Sequence, residues 1–202
     1  MFSDFPAAEG KEKTMVYVYL ATGFEEIEAL TVVDVLRRAE VDVKAVSITG
    51  DRLVLGSRDI TVQADLLFEE ADYDDCEMIV LPGGMPGAAN LGAHKGLTDH
   101  IKVFAKAGDS GRKLAAICAA PMVLGACGVL EGHEATIYPG MEDHLIGAKP
   151  TGENVTVSGN IITGKGPALA MEFALTLVEI LKGAEKRKEV AEGLLTPFYF
   201  PN

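Results

Sequence analysis

A chain of 202 residues, 48% hydrophobic and 24% charged, is long enough for one sizeable core and short for two domains. Its formal net charge of -12, with no strong basic run, argues against a nucleic-acid or anionic-membrane partner, since both require a positive footprint. No apolar stretch reaches the roughly 18 residues of a spanning helix, the start MFSDFPAAEGKEKT lacks the blocks of a secretory signal, and three cysteines form neither an even disulfide set nor a metal-spaced cluster, which points to reduced thiols in the cytoplasm.

Residues 1–14 read as an extension outside the fold, either natural or added for expression, and a single domain is expected over 15–195. Val16–Leu20 reads as a buried strand, Glu25–Ala39 as a helix and Val41–Ile48 as the next strand, which is a βαβ start. Leu53–Leu55 and Ile60–Gln63, separated by Gly56, read as a small hairpin beside the main sheet. Met78–Leu81 is an apolar run stopped by Pro82-Gly83-Gly84, Gly96–Ala107 is an amphipathic helix, and Lys113–Ile117 returns as a strand ahead of the helix-compatible Pro121–Ala126. Ala135–Ile137 and Ile161–Thr163 read as strands, Pro167–Leu181 as a long helix with proline in its first turn, and Glu185–Leu195 as a final surface helix. The tail 196–202, TPFYFPN, offers three aromatics for packing on the body or at a subunit contact. The expected fold is therefore α/β, a mostly parallel sheet between helical layers, with its functional edge at the carboxyl ends of the strands.

Three loops should meet on that edge. The richest is AAICAAP, Ala115–Pro121, which places Cys118 on a strand-to-helix turn like the elbow that exposes a hydrolase nucleophile. The amides of the following helix start favour negative charge, so the thiol is expected to ionise, and the thiolate is its reactive form. The alternative is a buried cysteine packing as a small hydrophobe. LPGGMPG at 81–87 supplies glycines that bring backbone amides close to a ligand. The chemistry implied is attack by the thiolate on an electrophilic carbon, with the amides of Gly84 and Ala119 stabilising the oxyanion.

The third loop, ATGFEEIEA, carries Glu25, Glu26 and Glu28. Glu28 lies in line with Phe24, Val32 and Val35 at helical spacing, so its carboxyl should face inward. A buried carboxyl stays protonated and can donate a hydrogen bond to a thiolate. Glu25 and Glu26 have apolar neighbours at similar spacings, and for any of the three the ordinary role is a solvated acid complementing the helix dipole. Among the histidines, His94 and His100 read as solvated, His133 as a loop residue and His144 as a substitute catalytic imidazole. Cys76 and Cys127 read as structural. No histidine pair has metal-ligand spacing with a nearby cysteine, so no metal site is expected.

Taken in order, GFEEIEA, LPGGMPGAANL, AAICAAP and TGKGPALAMEFAL make the chain resemble the ThiJ/PfpI superfamily from about Met15 to Leu195, most closely its branch of parkinsonism-associated deglycases and their bacterial relatives. The resemblance implies a flavodoxin-like three-layer sandwich and a homodimer. It also implies a nucleophile at Cys118, its acidic partner at Glu28, oxyanion donors at Gly84 and Ala119, and a dimer contact near Glu25, Asp34 and Ser57-Arg58-Asp59. Ala119 stands where protease-like members carry histidine, and no His-x-Glu follows Cys118, so peptidase and glutaminase activities are disfavoured. Tyr138 stands where the deglycase has a histidine, and Lys165 where many relatives have arginine, a weaker anion clamp. Three functions remain open. One is a cofactor-free enzyme acting on a small carbonyl substrate, a reactive dicarbonyl such as methylglyoxal, and on protein glycation adducts. Another is an oxidative-stress sensor or redox chaperone in which Cys118 becomes a sulfinate. The last is a catalytically idle binding module.

Overall fold

The computed structural model describes residues 15–107 and 111–196, so the expectations for segment 1–14 and for the aromatic tail after Thr196 lie outside the described residues. In chain order the elements are β1 (Met15–Leu20), α1 (Glu26–Arg38), β2 (Asp42–Ser47), β3 (Leu53–Leu55), β4 (Thr61–Gln63), β5 (Leu66–Leu67), β6 (Cys76–Leu81), α2 (Gly87–Ala93), α3 (Lys95–Lys106), β7 (Lys113–Ile117), α4 (Pro121–Ala126), β8 (Glu134–Ala135), β9 (Lys149–Pro150), β10 (Val155–Ser158), β11 (Ile161–Gly164), α5 (Ala170–Lys182) and α6 (Ala184–Gly193). Seven strands form one sheet in the order β10-β11-β7-β6-β1-β2-β5, parallel throughout except at β10. The β3–β4 hairpin stands apart as an antiparallel pair.

Strand alternation sorts the core into two clusters, the pattern of a sheet buried on both faces. Val16, Val18 and Leu20 of β1 point to one side, where α1 packs on α5 through residues such as Val32, Leu36, Phe173 and Leu177. Tyr17 and Tyr19 point to the other, against Leu91 of α2, Leu97, Ile101 and Phe104 of α3, and Leu124 of α4. This is the flavodoxin-like three-layer sandwich. Among the described residues no helix is long and apolar enough to cross a membrane.

Several elements differ from the sequence reading. Gly87–Ala93 forms α2, which the pattern does not announce because GAANLGA offers two glycines and little apolar periodicity. β10 is likewise absent from the sequence reading; its four residues alternate at the sheet's antiparallel edge, with Val157 exposed. Ala135–Ile137 does not join the main sheet: Glu134–Ala135 pairs with Lys149–Pro150 in a separate two-stranded piece. There the Thr136 N–H turns to Thr163 Oγ1 at 2.9 Å instead of continuing a ladder. The helix expected from Pro167 begins as a 3-10 turn, Pro167–Leu169, before α5.

His94 and His100 are half-buried, not solvated. His94 Nδ1 accepts the Leu97 N–H at 3.1 Å and caps α3. His100 stacks on Tyr73 with ring centroids 3.4 Å apart, and the Tyr73 hydroxyl bonds to that of Tyr19. Tyr17 meets Tyr19 and Tyr73 edge-on, so this aromatic group fills the α2–α3 side of the sheet.

Candidate active site

β7, β6 and β1 are consecutive neighbours in the sheet, so the turns leaving their carboxyl ends lie side by side. They bring Cys118, the Pro82-Gly83-Gly84 loop and the N-terminus of α1 into contact. Alternation on β7 sends Leu114 and Ala116 to the α2–α4 side, and Ala115 and Ile117 to the α1–α5 side. Continued by one residue, it would carry position 118 to the α2–α4 side. Instead Cys118 adopts a left-handed backbone with φ of 61°, and its side chain joins the α1–α5 cluster, the layer that holds Glu28. A non-glycine residue held there costs about 1–3 kcal/mol. Backbone bonds on both sides fix it: the Cys118 N–H donates to Gly164 O and its carbonyl accepts the Tyr138 N–H, each at 2.9 Å.

Glu28 is 0% exposed, as its helical spacing with apolar neighbours predicts. Its Oε2 accepts the Gly83 N–H at 2.7 Å. Its Oε1 has no hydrogen-bond partner in oxygen or nitrogen among the described residues, and the carboxyl couples to the Cys118 thiol. Burial pushes Glu28 up to about 7, against the pull of Cys118 and the Gly83 N–H, with the charge of Glu25 adding to the push. Glu28 therefore holds its proton far above the ordinary carboxylate range.

Cys118 is 8% exposed. Burial pushes its thiol up to about 12, the Glu28 carboxylate acts in the same direction by charge and hydrogen bond, and the Ala119 and Gly84 N–H groups pull it down. The expectation that the elbow alone favours the thiolate is thus corrected, because desolvation outweighs the two amides. Two of the opposing contributions belong to an ionised Glu28, however. With the proton on the carboxyl its charge vanishes and its O–H can donate to sulfur, so the thiolate form requires a protonated Glu28. The two amides already converge on the sulfur. An oxyanion formed on an attacked carbon would develop beside the same donors.

Gly83, absent from the sequence reading as a site residue, is the joint of this site. A side-chain carbon there would come 2.7 Å from Glu28 Oε2, 2.8 Å from Cys118 Cβ and 3.0 Å from the Ala119 nitrogen. Gly83→Ala is expected to destabilise the protein by about 1–3 kcal/mol through this overpacking. Urea melts check it, and a wild-type midpoint would mean that the loop backs away freely.

Glu25 and Glu26 are 7% and 4% exposed, so neither is the solvated acid expected. Their partners come from the tip of the β3–β4 hairpin. Ser57 Oγ lies 3.0 Å from Glu25 Oε2 and 3.1 Å from Glu26 Oε2, and the Arg58 N–H donates to Glu26 Oε1 at 2.7 Å. The Arg58 guanidinium stands 4.0 Å from Glu25 Oε2. Asp34 is further along α1, exposed and paired with Arg38.

Of the two auxiliary candidates, Tyr138 is tied to the elbow through its N–H, and its ring, 47% exposed, lies against Gly166. His144 is exposed, and its carbonyl packs over Gly125 at the far end of α4 from Cys118, so it is not brought to the thiol. His133 Nδ1 pairs with Ser158, Cys76 is buried, and Cys127 is half-buried. Among the described residues no group of three or more His, Cys, Asp and Glu side chains is placed to hold a metal.

Residues 14–180 match the DJ-1/PfpI family. The chain is 39% identical over 183 residues to protein dj-1beta of Drosophila melanogaster, a match covering 90% of this chain and 96% of that relative. It is 32% identical over 172 residues to a Caenorhabditis elegans protein named glutathione-independent glyoxalase DJR-1.2, covering 84% of this chain and 89% of that one. Its structure superposes on that of Toxoplasma gondii DJ-1, oxidized, with a TM-score of 0.86 at 37% identity, covering 91% of this chain and 99% of the other. The chain belongs to the DJ-1/PfpI family.

Proposed function

We propose that the protein is a cysteine-dependent, cofactor-free enzyme that converts reactive dicarbonyls to hydroxy acids, methylglyoxal to lactate, and acts on protein glycation adducts by the same addition. The observation that carries this reading is the Glu28–Cys118 pair, a buried acid coupled to a sulfur that two amides face. The name glutathione-independent glyoxalase on one relative supports the choice of substrate.

The chemistry balances without an external oxidant. The Cys118 thiolate adds to the aldehyde carbon, and the oxyanion, held by the Gly84 and Ala119 N–H groups, takes the Glu28 proton to give a hemithioacetal. Glu28, now a carboxylate, removes the proton from that carbon and returns it to the neighbouring one while the hydroxyl proton passes to the ketone oxygen, which oxidises the first carbon and reduces the ketone. The product is a lactoyl thioester on Cys118. Water cleaves it, releasing lactate and restoring the pair. In this reading Tyr138, whose N–H is bonded to the Cys118 carbonyl, donates a hydrogen bond to a substrate oxygen, whereas His144 has no part.

Purified protein given methylglyoxal without glutathione is expected to release lactate, measured enzymatically or by NMR. No lactate above the buffer rate would reject the proposal. A second reading, oxidation of Cys118 to a sulfinate by peroxide, is favoured by the same two amides, which would receive the new oxygens.

The remaining parts of the reading concern assembly and place. Residues 15–195 act as one domain, and the functional form is a homodimer. Ile27 and Leu30 on α1 and Leu53, Leu55 and Ile60 of the hairpin are exposed apolar side chains, and the hairpin tip docks on the start of α1 through the Arg58 N–H and Glu26, which supports a contact near Glu25, Asp34 and Arg58 that a second copy would cover. Three free cysteines suit the cytoplasm.

A further inference from the structure

Three carboxyl groups, Glu25, Glu26 and Glu28, are buried within one turn at the start of α1. Only Glu28 meets the thiol. Glu25 is joined to it through one residue: the Glu25 N–H donates to Gly83 O at 2.9 Å, and the Gly83 N–H donates to Glu28 Oε2 at 2.7 Å. The tip of the hairpin clamps Glu25 from behind. Ser57 Oγ reaches its Oε2 at 3.0 Å and the Arg58 guanidinium stands 4.0 Å away. The backbone holds the tip in place, with the Ser57 N–H on Phe24 O and the Gly23 N–H on Leu55 O, each at 2.8 Å. Gly56 lets the tip approach, since a side-chain carbon there would collide with the Glu26 carboxyl. The tip that holds Glu25 and Glu26 in place has no role in the reaction steps above.

We propose that Glu25 is a positioning residue for the Glu28–Cys118 pair: the hairpin tip fixes its carboxyl group beside Glu28, and its charge, by disfavouring ionisation of Glu28, shifts the pair toward acid and thiolate. A like charge disfavours ionisation of its neighbour. Glu25 sits on the same helix turn as Glu28, while Cys118 belongs to a different element, so the charge bears more on the carboxyl than on the thiol. It thereby biases the pair toward acid and thiolate. The charged and titratable groups around Glu28 are Cys118 from the elbow and Glu25 from its own helix, and behind Glu25 stand Glu26 and Arg58. Ser57 supplies the hydroxyl that stabilises the Glu25 charge.

The inference rests on the pair assigned above but not on its substrate, so its test uses no dicarbonyl. The rate of Cys118 alkylation by iodoacetamide is followed against pH by mass spectrometry on the full-length protein. Glu25→Gln is expected to slow alkylation at pH 7 by about tenfold, one pH unit's worth of thiolate, and to converge with wild type at high pH. Ser57→Ala should move the profile the same way by a smaller amount, Ser57→Thr should restore it, and Ser57→Ala in the Glu25→Gln background should add nothing. Loosened packing would do the opposite, because greater access speeds alkylation. A Glu25→Gln profile equal to or faster than wild type overturns the proposal. If that variant does not fold, Ser57→Ala carries the test alone, and a wild-type profile there overturns it equally. A wild-type protein that forms no lactate but slows on Glu25→Gln would remove the dicarbonyl reading and leave this one standing.

Discussion

Cys118→Ser is expected to lower lactate formation from methylglyoxal by about 10³-fold or more, because the hydroxyl is a poor nucleophile without a base to deprotonate it. Below pH 7 Glu28 holds its own proton and cannot serve as that base, and the His144 imidazole is exposed and away from the elbow. The fold should survive. Serine is close to cysteine in volume, and the backbone bonds to the Gly164 carbonyl and from the Tyr138 N–H that hold residue 118 do not involve the side chain. Equal turnover by the variant, with an unchanged circular dichroism spectrum, would sink the enzyme reading. Loss of turnover with the melt intact would place the chemistry on sulfur.

Glu28→Gln should separate stability from activity. Glu28 is pushed up to about 7 in the folded protein from an ordinary 4.5, so its favourable contribution is complete below pH 4.5 and is lost as pH rises through 7. Above that point the wild-type protein carries a buried carboxylate at a cost of about 3 kcal/mol. Glutamine is neutral at every pH and can still accept the Gly83 N–H. Relative to wild type, the variant should therefore gain stability between pH 5 and pH 8, read as a rising difference between their urea midpoints. Turnover should fall by about 10²–10⁴-fold at the same time, since the amide neither gives nor takes a proton. A stability difference that stays flat with pH would mean that Glu28 titrates in the ordinary range.

Much of this site is legible in local patterns. Cys118 stands out because an apolar strand runs straight into a helix opened by Pro121, and Glu28 because Phe24, Val32 and Val35 share its stripe. What local pattern does not carry is the contribution of distant chain. Glu25 and Glu26 look like solvated first-turn acids until Ser57 and Arg58, from a separate hairpin, close over them. The direction of the thiol's shift also depends on burial, which no spacing encodes, and two amides from separate loops do not offset it. α2 escapes notice because its GAANLGA sequence buries only Gly87, Ala88 and Leu91, too few apolar points to set a period. The layer in which the sulfur lies is equally hidden, since alternation along β7 indicates the wrong side and only the left-handed turn at 118 reverses it.

That reversal has an optical corollary. The chain has five tyrosines and no tryptophan. Three of the five, Tyr17, Tyr19 and Tyr73, are gathered with His100 on the side of the sheet away from Cys118. Intrinsic ultraviolet emission is therefore weighted toward the layer that takes no part in the reaction. Modification of the sulfur should leave that glow nearly unchanged, while loosening of α3 would quench or brighten it first, so fluorescence and thiol labelling report on opposite halves of the same molecule.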